Sequence, residues 1–145
     1  MATMQLDIVT AERLVSSEEV DLVVAPGIDG ELGILPHHAP LLTALASGEL
    51  RVVKDGEESF IAVSGGFMEV IGNKVTILAD TAERADEIDA ERAEEALARA
   101  QEQVDTRSAD MDLERAMASI RKSQARLKVA RRGRRRREPG APPPS

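Results

Sequence analysis

Two adjacent histidines, His37 and His38, are the only imidazoles in a 145-residue chain that has no cysteine. Disulfides, zinc-thiolate sites, iron-sulfur clusters and thiol catalysis are therefore excluded, and any metal would rest on carboxylates and this one pair. Neighbouring side chains diverge in direction and no third ligand stands nearby, so no metal site is expected. Gly65 and Gly66 have no helix start behind them, which assigns them to a bulge or a close strand approach and not to a phosphate cradle. No nucleophile-base pair, phosphate-binding loop or carboxylate pair in an apolar pocket can be assembled, so no catalytic residue is expected. With no Trp, no Tyr and only Phe60 and Phe67, a stacking platform for single-stranded nucleic acid has no material.

The charges are distributed unevenly. The formal net charge is −7, yet the residues through Ile120 carry 25 acidic and 9 basic groups, and those from Arg121 onward carry 10 basic and 1 acidic. The chain reads as an acidic body with a basic tail. It has no run of 18 apolar residues and no basic-then-apolar leader, so it is expected to be neither membrane-spanning nor exported.

The elements that must position these groups fall into two parts. As far as about Ala79, short runs rich in Val, Ile, Leu and Thr are punctuated by Gly, Pro, Asn and Asp, the pattern of β-strands. Nine strands are expected, near 5–9, 12–16, 19–25, 33–35, 42–46, 48–54, 58–63, 66–71 and 74–78, enough for a sandwich or barrel. Leu6 and Ile8 alternate with Gln5 and Asp7, and Val75, Ile77 and Ala79 alternate with Lys74, Thr76 and Leu78. Asp29-Gly30, Asp55-Gly56 and Gly72-Asn73 supply the residues that tight hairpin turns require.

Beyond Ala79 the composition shifts to Ala, Glu, Arg and Gln, a helical signature. Asp86 or Asp89 can cap the start, with Ala93, Ala96, Leu97, Ala100 and Val104 on one face. The periodicity lapses near 105–110 and resumes with Leu113, Met117, Ile120, Gln124 and Leu127, which predicts two antiparallel helices. Met111 and Met117 are read as helix packing. The first helix presents mostly alanine, and burial contributes only about 0.8 kcal/mol per CH₂-sized group, so its docking on the sandwich is expected to be weak and reversible. The plainer alternative is that alanine is there as a good helix former. From residue 131 the sequence RRGRRRREPGAPPPS offers repulsion, Gly and Pro and no apolar face, and is expected to be disordered.

The string GELGILPHHAPLLTALASGELRV, starting at Gly30, and VSGGFMEVIGNKVTILADTAERADEID, starting at Val63, closely resemble the bacterial epsilon subunit of F-type ATP synthase, over roughly residues 4–130. The fold class so expected is β plus α, an N-terminal β-sandwich (1–84), a two-helix hairpin (85–130) and a disordered basic tail (131–145). The resemblance implies a non-catalytic rotor component, peripheral on the cytoplasmic face of the cell inner membrane. Its implied partners are a gamma subunit, the ring of c subunits and, when the hairpin is extended, the alpha and beta catalytic subunits. No nucleic-acid partner and no required cofactor are implied. Asp29, Glu31 and His38 are carried over as contacts to the c ring. Arg115, Arg121, Lys122, Arg126 and Lys128 are carried over as contacts to acidic catalytic-subunit surfaces that restrain ATP hydrolysis, the alternative being a solvated helix face.

Ile88, Asp89, Arg92 and Ala93 resemble the motif with which some epsilon subunits bind ATP as a regulatory ligand. On that reading Asp89 or Glu83 accepts from the adenine amino group, and Arg92, Arg99 and Arg126 approach phosphates as planar multi-donor groups. Lys122 stands where nucleotide-binding relatives carry arginine, keeping the charge without the fork. The alternative leaves Asp89 as an N-cap and Arg92 as an exposed helix residue. The Arg-rich end lies outside the family pattern. It fits anionic lipid, nucleic acid or the protein's own acidic surface equally well. A free-standing sandwich adaptor with a nucleic-acid-binding tail at Arg134 to Arg137 is the competing reading.

Overall fold

The computed structural model describes residues 2–106 and 113–137, with the side-chain surroundings of 2–104 and 113–132. Eight strands precede two helices: β1 (Met4–Val9), β2 (Leu14–Val20), β3 (Leu22–Gly27), β4 (Gly30–Ile34), β5 (Leu41–Ala44), β6 (Gly48–Lys54), β7 (Glu57–Ile71), β8 (Lys74–Arg84), then α1 (Ala90–Thr106) and α2 (Leu113–Arg137). A single 3-10 turn, Ala85–Glu87, joins β8 to α1. The β-then-α architecture is the one expected.

Two of the nine expected strands are one: the segments near 58–63 and 66–71 form the 15-residue β7. β7 and β8 pair along their length, from Ile61 opposite Arg84 to Ile71 opposite Lys74, without a slip of register. Their two halves belong to different layers. The later half of β7 pairs β5 and the earlier half of β8 pairs β1, which pairs β2. The earlier half of β7 pairs β6, which pairs β3 and then β4. Two layers thus share two long strands, and the core between them holds Leu6, Ile8, Val23, Leu50, Val52, Met68, Val70, Val75 and Ile77.

The change of layer happens at Gly65 and Gly66. Both have positive φ, 64° and 114°. Before them Ile61 and Val63 face the core; after them Met68 and Val70 do. The period-2 alternation is reset there, which an L-residue with a Cβ would resist. A Cβ on Gly66 would lie 2.0 Å from the Leu78 carbonyl oxygen, so the pair serves close strand approach, as the sequence implied, while the register passes it without a bulge.

The tight turns follow the expected chemistry. Asp55 and Gly56, and Gly72 and Asn73, all have positive φ, as two-residue hairpins of the favoured twist require. In the β3–β4 turn Gly30, not Asp29, takes the positive φ.

Two expectations about the helices are corrected. The alanine face of α1, with Ala93 and Ala100 buried, packs on α2, and α2 is the helix that lies on β6, β7 and β8. In α2 the buried positions are Ala116, Ser123, Ala125, Leu127, Val129 and Ala130, whereas Leu113 and Met117 are exposed. Met117 is therefore not helix packing, and Met111 lies outside the described residues. The reason for both is that α2 has two neighbours, so its smaller residues are the ones that permit close approach. The third correction concerns the tail. α2 does not end near 130 but continues to Arg137. Residues 138–145 lie outside the described part.

Candidate functional site

Glu49 on β6, Ala62 on β7 and Glu83 on β8 are successive register partners, so they form one cross-strand row on the outer face of their layer. α2 crosses the strands along this row. Arg126 Nη2 donates to Glu83 Oε2 at 3.1 Å, and its Nε lies 2.7 Å from Oε1. That Nε–H is buried and not aligned on an acceptor, so it adds short-range charge attraction while Nη2 makes the hydrogen bond. Val129 packs with Phe60 and Ala62. Arg132 donates to Glu49 through Nε at 2.5 Å and Nη2 at 3.0 Å, and its guanidinium stands 4.2 Å above the Phe60 ring centroid. Lys128 approaches the same carboxylate at 3.9 Å.

The spacing has a geometric cause. Three residues of α-helix advance about 4.5 Å, and neighbouring strands lie about 4.8 Å apart. Residues 126, 129 and 132 therefore meet three consecutive strands in turn. The contact is salt bridge, small apolar centre, salt bridge. Four successive residues of β7, Phe60 to Val63, are buried because the core covers one face and α2 the other.

The joint between the two parts is built next to this row. Ala85 and Ile88 pack against the Phe60, Ala62 and Val129 cluster. Asp89 caps α1: its Oδ1 accepts from the Arg92 backbone N–H at 3.1 Å, and its carbonyl accepts from Ala93 at 3.0 Å. Arg13 pairs with Glu87, and Arg84 Nη2 donates to the Val15 carbonyl at 3.2 Å.

Of the residues carried over for nucleotide, Glu83 and Arg126 are brought together, bonded to each other, with Ile88 half-buried in the adjoining cluster. Lys122 precedes Arg126 by one turn and is half-buried. Asp89 is engaged as a cap, Ala93 is fully buried, and Arg92 and Arg99 are exposed along α1. Among the basic residues carried over for restraint of hydrolysis, Arg126 and Lys128 face the sandwich acids. Arg115 and Arg121 are exposed near the start of α2, beside Leu113 and Met117.

Asp29 and Glu31 lie in and just after the β3–β4 turn, exposed. His38 follows the other end of β4, where the His37 backbone N–H donates to Asn73 Oδ1 and Asn73 Nδ2 donates to the Thr3 carbonyl. The length of β4 separates His38 from the two carboxylates. Among the described residues no group of three His, Asp or Glu could hold a metal ion.

A surface that the sequence reading missed lies on the outer face of the other layer. Leu14 and Val9, Val9 and Leu78, Leu78 and Phe67, and Phe67 and Ala44 are register partners on β2, β1, β8, β7 and β5. They make an apolar row across five strands, with Phe67 55% and Leu78 52% exposed. The signal was present: Phe67 is one of two aromatics, and Leu78 takes an outward place in an alternating strand. Beside this row the surface is polar, with Gln5 Nε2, Ser17 Oγ and Lys74 Nζ all directed to Asp7 at 2.7 to 3.2 Å. The hydrogen bond from Gln5, then those from Ser17 and Lys74, lower the Asp7 pKa from 3.8 to about 2. Glu49, Phe60 and Arg132 were also missed as a set, because their meeting depends on the crossing of α2.

Comparison with known proteins agrees with this two-part chain. Residues 3–85 match the ATP synthase delta/epsilon chain β-sandwich domain, and residues 86–131 match the long α-helix domain of the same chain. The chain belongs to the ATP synthase delta/epsilon family. The ATP synthase epsilon chain of Desulforamulus reducens is 55% identical over 128 residues, 88% of this chain and 97% of that one. That of Herpetosiphon aurantiacus is 58% identical over 127 residues, 88% and 93% of the two chains. A chain of the Euglena gracilis mitochondrial ATP synthase shares the fold, with a TM-score of 0.75 at 24% identity over 90% of this chain and 82% of that one. The delta/epsilon helical match ends one residue before Arg132.

Proposed function

We propose that this delta/epsilon chain is a non-catalytic central-stalk component of a proton-translocating ATP synthase, peripheral to the cytoplasmic face of the membrane, with a hairpin that leaves the sandwich to restrain ATP hydrolysis. The observation that carries the reading is the separation of the two attachment faces. One outer face is covered by α2 through a few charged and small contacts, and the other is an exposed apolar row. An apolar row rimmed by polar groups suits a lasting partner, for which the gamma subunit is the candidate. Asp29 and Glu31 at the β3–β4 turn, with His38 beyond β4, are candidate contacts to the c ring and are separable by variants at each place. The relatives' identity as ATP synthase epsilon chains, and an assembly containing a c ring among the fold neighbours, support this assignment.

In the hairpin, Arg126 and Lys128 are engaged with Glu83 and Glu49. Leaving the sandwich frees those cations for acidic surfaces of the alpha and beta subunits, together with Arg115, Arg121 and Lys122. Truncation after Glu87 tests this: the complex should assemble and hydrolyse ATP faster. Unchanged hydrolysis would remove the restraint while sparing the stalk role.

ATP is the candidate regulatory ligand. Its candidate contacts are Glu83, Ile88, Asp89, Arg92, Ala93, Arg99, Lys122 and Arg126. A ligand that binds only the docked form stabilises it by mass action. Phosphate contact by Arg126 would compete with its bond to Glu83. Calorimetry with ATP on the intact chain and on Arg92→Ala is the test, and absence of binding heat in the unmodified chain ends the claim.

A further inference from the structure

The Arg132 end of α2 makes a contact that none of the carried-over roles includes. Glu49 is 13% exposed in its side chain and receives two guanidinium hydrogen bonds from Arg132, with Lys128 near by. The same guanidinium covers the ring of Phe60, which is itself almost fully buried. A planar fork on a carboxylate and a cation over an aromatic face are each strengthened where water is partly excluded. Neither depends on Glu83, Asp89 or Arg92. Sequence position makes the point sharper, because the helical match to the delta/epsilon family stops at residue 131 and the fork is supplied by the next residue.

We propose that Glu49, Phe60 and Arg132 form a second latch, independent of nucleotide and sensitive to salt, that holds the far end of α2 on β6 and β7. The inference rests on the reading above that the hairpin can leave the sandwich. The Glu83 and Arg126 pair fastens α2 beside the joint, where the chain already returns from β8. Without another fastening the helix beyond Val129 could peel from the sheet while the joint stayed closed. Arg132 sits six residues beyond Arg126 and closes that route. Its guanidinium is needed as a fork and not only as a charge, since lysine would meet one carboxylate oxygen and cover the ring less well. The acidic excess of the sandwich favours the same docking at longer range, and this part is screened as ionic strength rises. The latch therefore biases the hairpin to the docked form when no ligand is present.

Hydrogen exchange on the intact chain tests the latch directly, because amide protection reads the opening of α2 even when the open form is rare. Glu49→Gln or Arg132→Gln should lower protection of the amides of residues 125–132 by about tenfold, the scale of one partly buried charge-assisted contact. Arg132→Lys should recover part of it. The double variant should open no more than either single one, since the two residues act as a unit. Raising salt from 0.05 to 0.5 M should lower protection in the unmodified chain by more than in Glu49→Gln, where the Arg126 pair and the longer-range attraction remain. Unchanged protection in both single variants overturns the latch. The absence of cysteine allows a clean pair of spin labels at Ser59→Cys and Gln124→Cys, which reports whether the whole hairpin departs. Protection lost without a second distance would keep the latch and sink the movable hairpin. A second distance whose population ignores Glu49→Gln and Arg132→Gln would do the reverse.

Discussion

The outer face formed by β6, β7 and β8 and the outer face formed by β5, β7, β8, β1 and β2 are finished in opposite ways. The first meets α2 through Glu83, Glu49 and the small apolar centre of Ala62, Phe60 and Val129. The second leaves Phe67, Leu78 and Leu14 in solvent. A contact fastened at its two ends by charge can be opened by salt, by a competing anion or by a competing acidic surface. A broad apolar row has no such release and suits a partner that stays. On the proposed function, reversible attachment falls to one layer and durable attachment to the other, and the same two long strands serve both.

Several changes break or sharpen this contrast. The largest effect is expected where the two faces originate. Gly66→Ala places a Cβ against the Leu78 carbonyl at positive φ and should destabilise the sandwich by about 3 kcal/mol or more. Urea unfolding followed by circular dichroism is the measurement, since the chain lacks Trp and Tyr. Next, if the gamma subunit is the partner of the apolar row as proposed, Phe67→Glu or Leu78→Lys should weaken that association by about a hundredfold while leaving α2 protection unchanged, as expected of a central apolar contact. Equal affinity by surface binding would reassign the apolar row. Smaller again, Val129→Ala removes buried methyl groups between the two arginine contacts and should cost about 1 to 2 kcal/mol of local docking, seen as faster exchange in α2 and unchanged gamma binding.

The smallest effect belongs to the polar patch beside the apolar row. The Asp7 carboxyl titrates at about 2 when folded, against 3.8 ordinarily, because Gln5, Ser17 and Lys74 favour its charged form. Its stabilising contribution is complete above pH 3.8 and is lost as pH falls toward 2. Asp7→Asn should flatten the pH dependence of stability in that window and nowhere else. An unaltered slope would mean the network is dispensable.

Much of this was legible beforehand, for stated reasons. Strand alternation at Leu6 and Ile8 and at Val75 and Ile77 placed the core correctly, because one face of each strand is buried and the period is two. Turn chemistry at Asp55-Gly56 and Gly72-Asn73 needed only local conformational preference. Asp89 was readable as a cap for the same reason. What local preference does not carry is which surface a helix meets. The alanine stripe of α1 signalled a buried face, and nothing in it distinguished a sheet from a neighbouring helix. Glu49 and Arg132 are 83 positions apart, and their pairing follows from the crossing of α2 over β6. Repulsion among the arginines after residue 130 argued for disorder, yet the first of them to find a carboxylate, Arg132, lies on a helix that continues through Arg137. The longer reach of β7 was hidden by its two glycines, which look like a break in pattern and act as a change of layer.

That undivided strand has a mechanical implication. Phe60, beneath α2, and Phe67, on the open face, belong to one run of backbone and lie seven residues apart on it. Force entering at either surface passes as tension along a hydrogen-bonded ribbon shared with β8, with no flexible loop in between to absorb it. A body wired in this way would yield little angle between its two attachments when twisted.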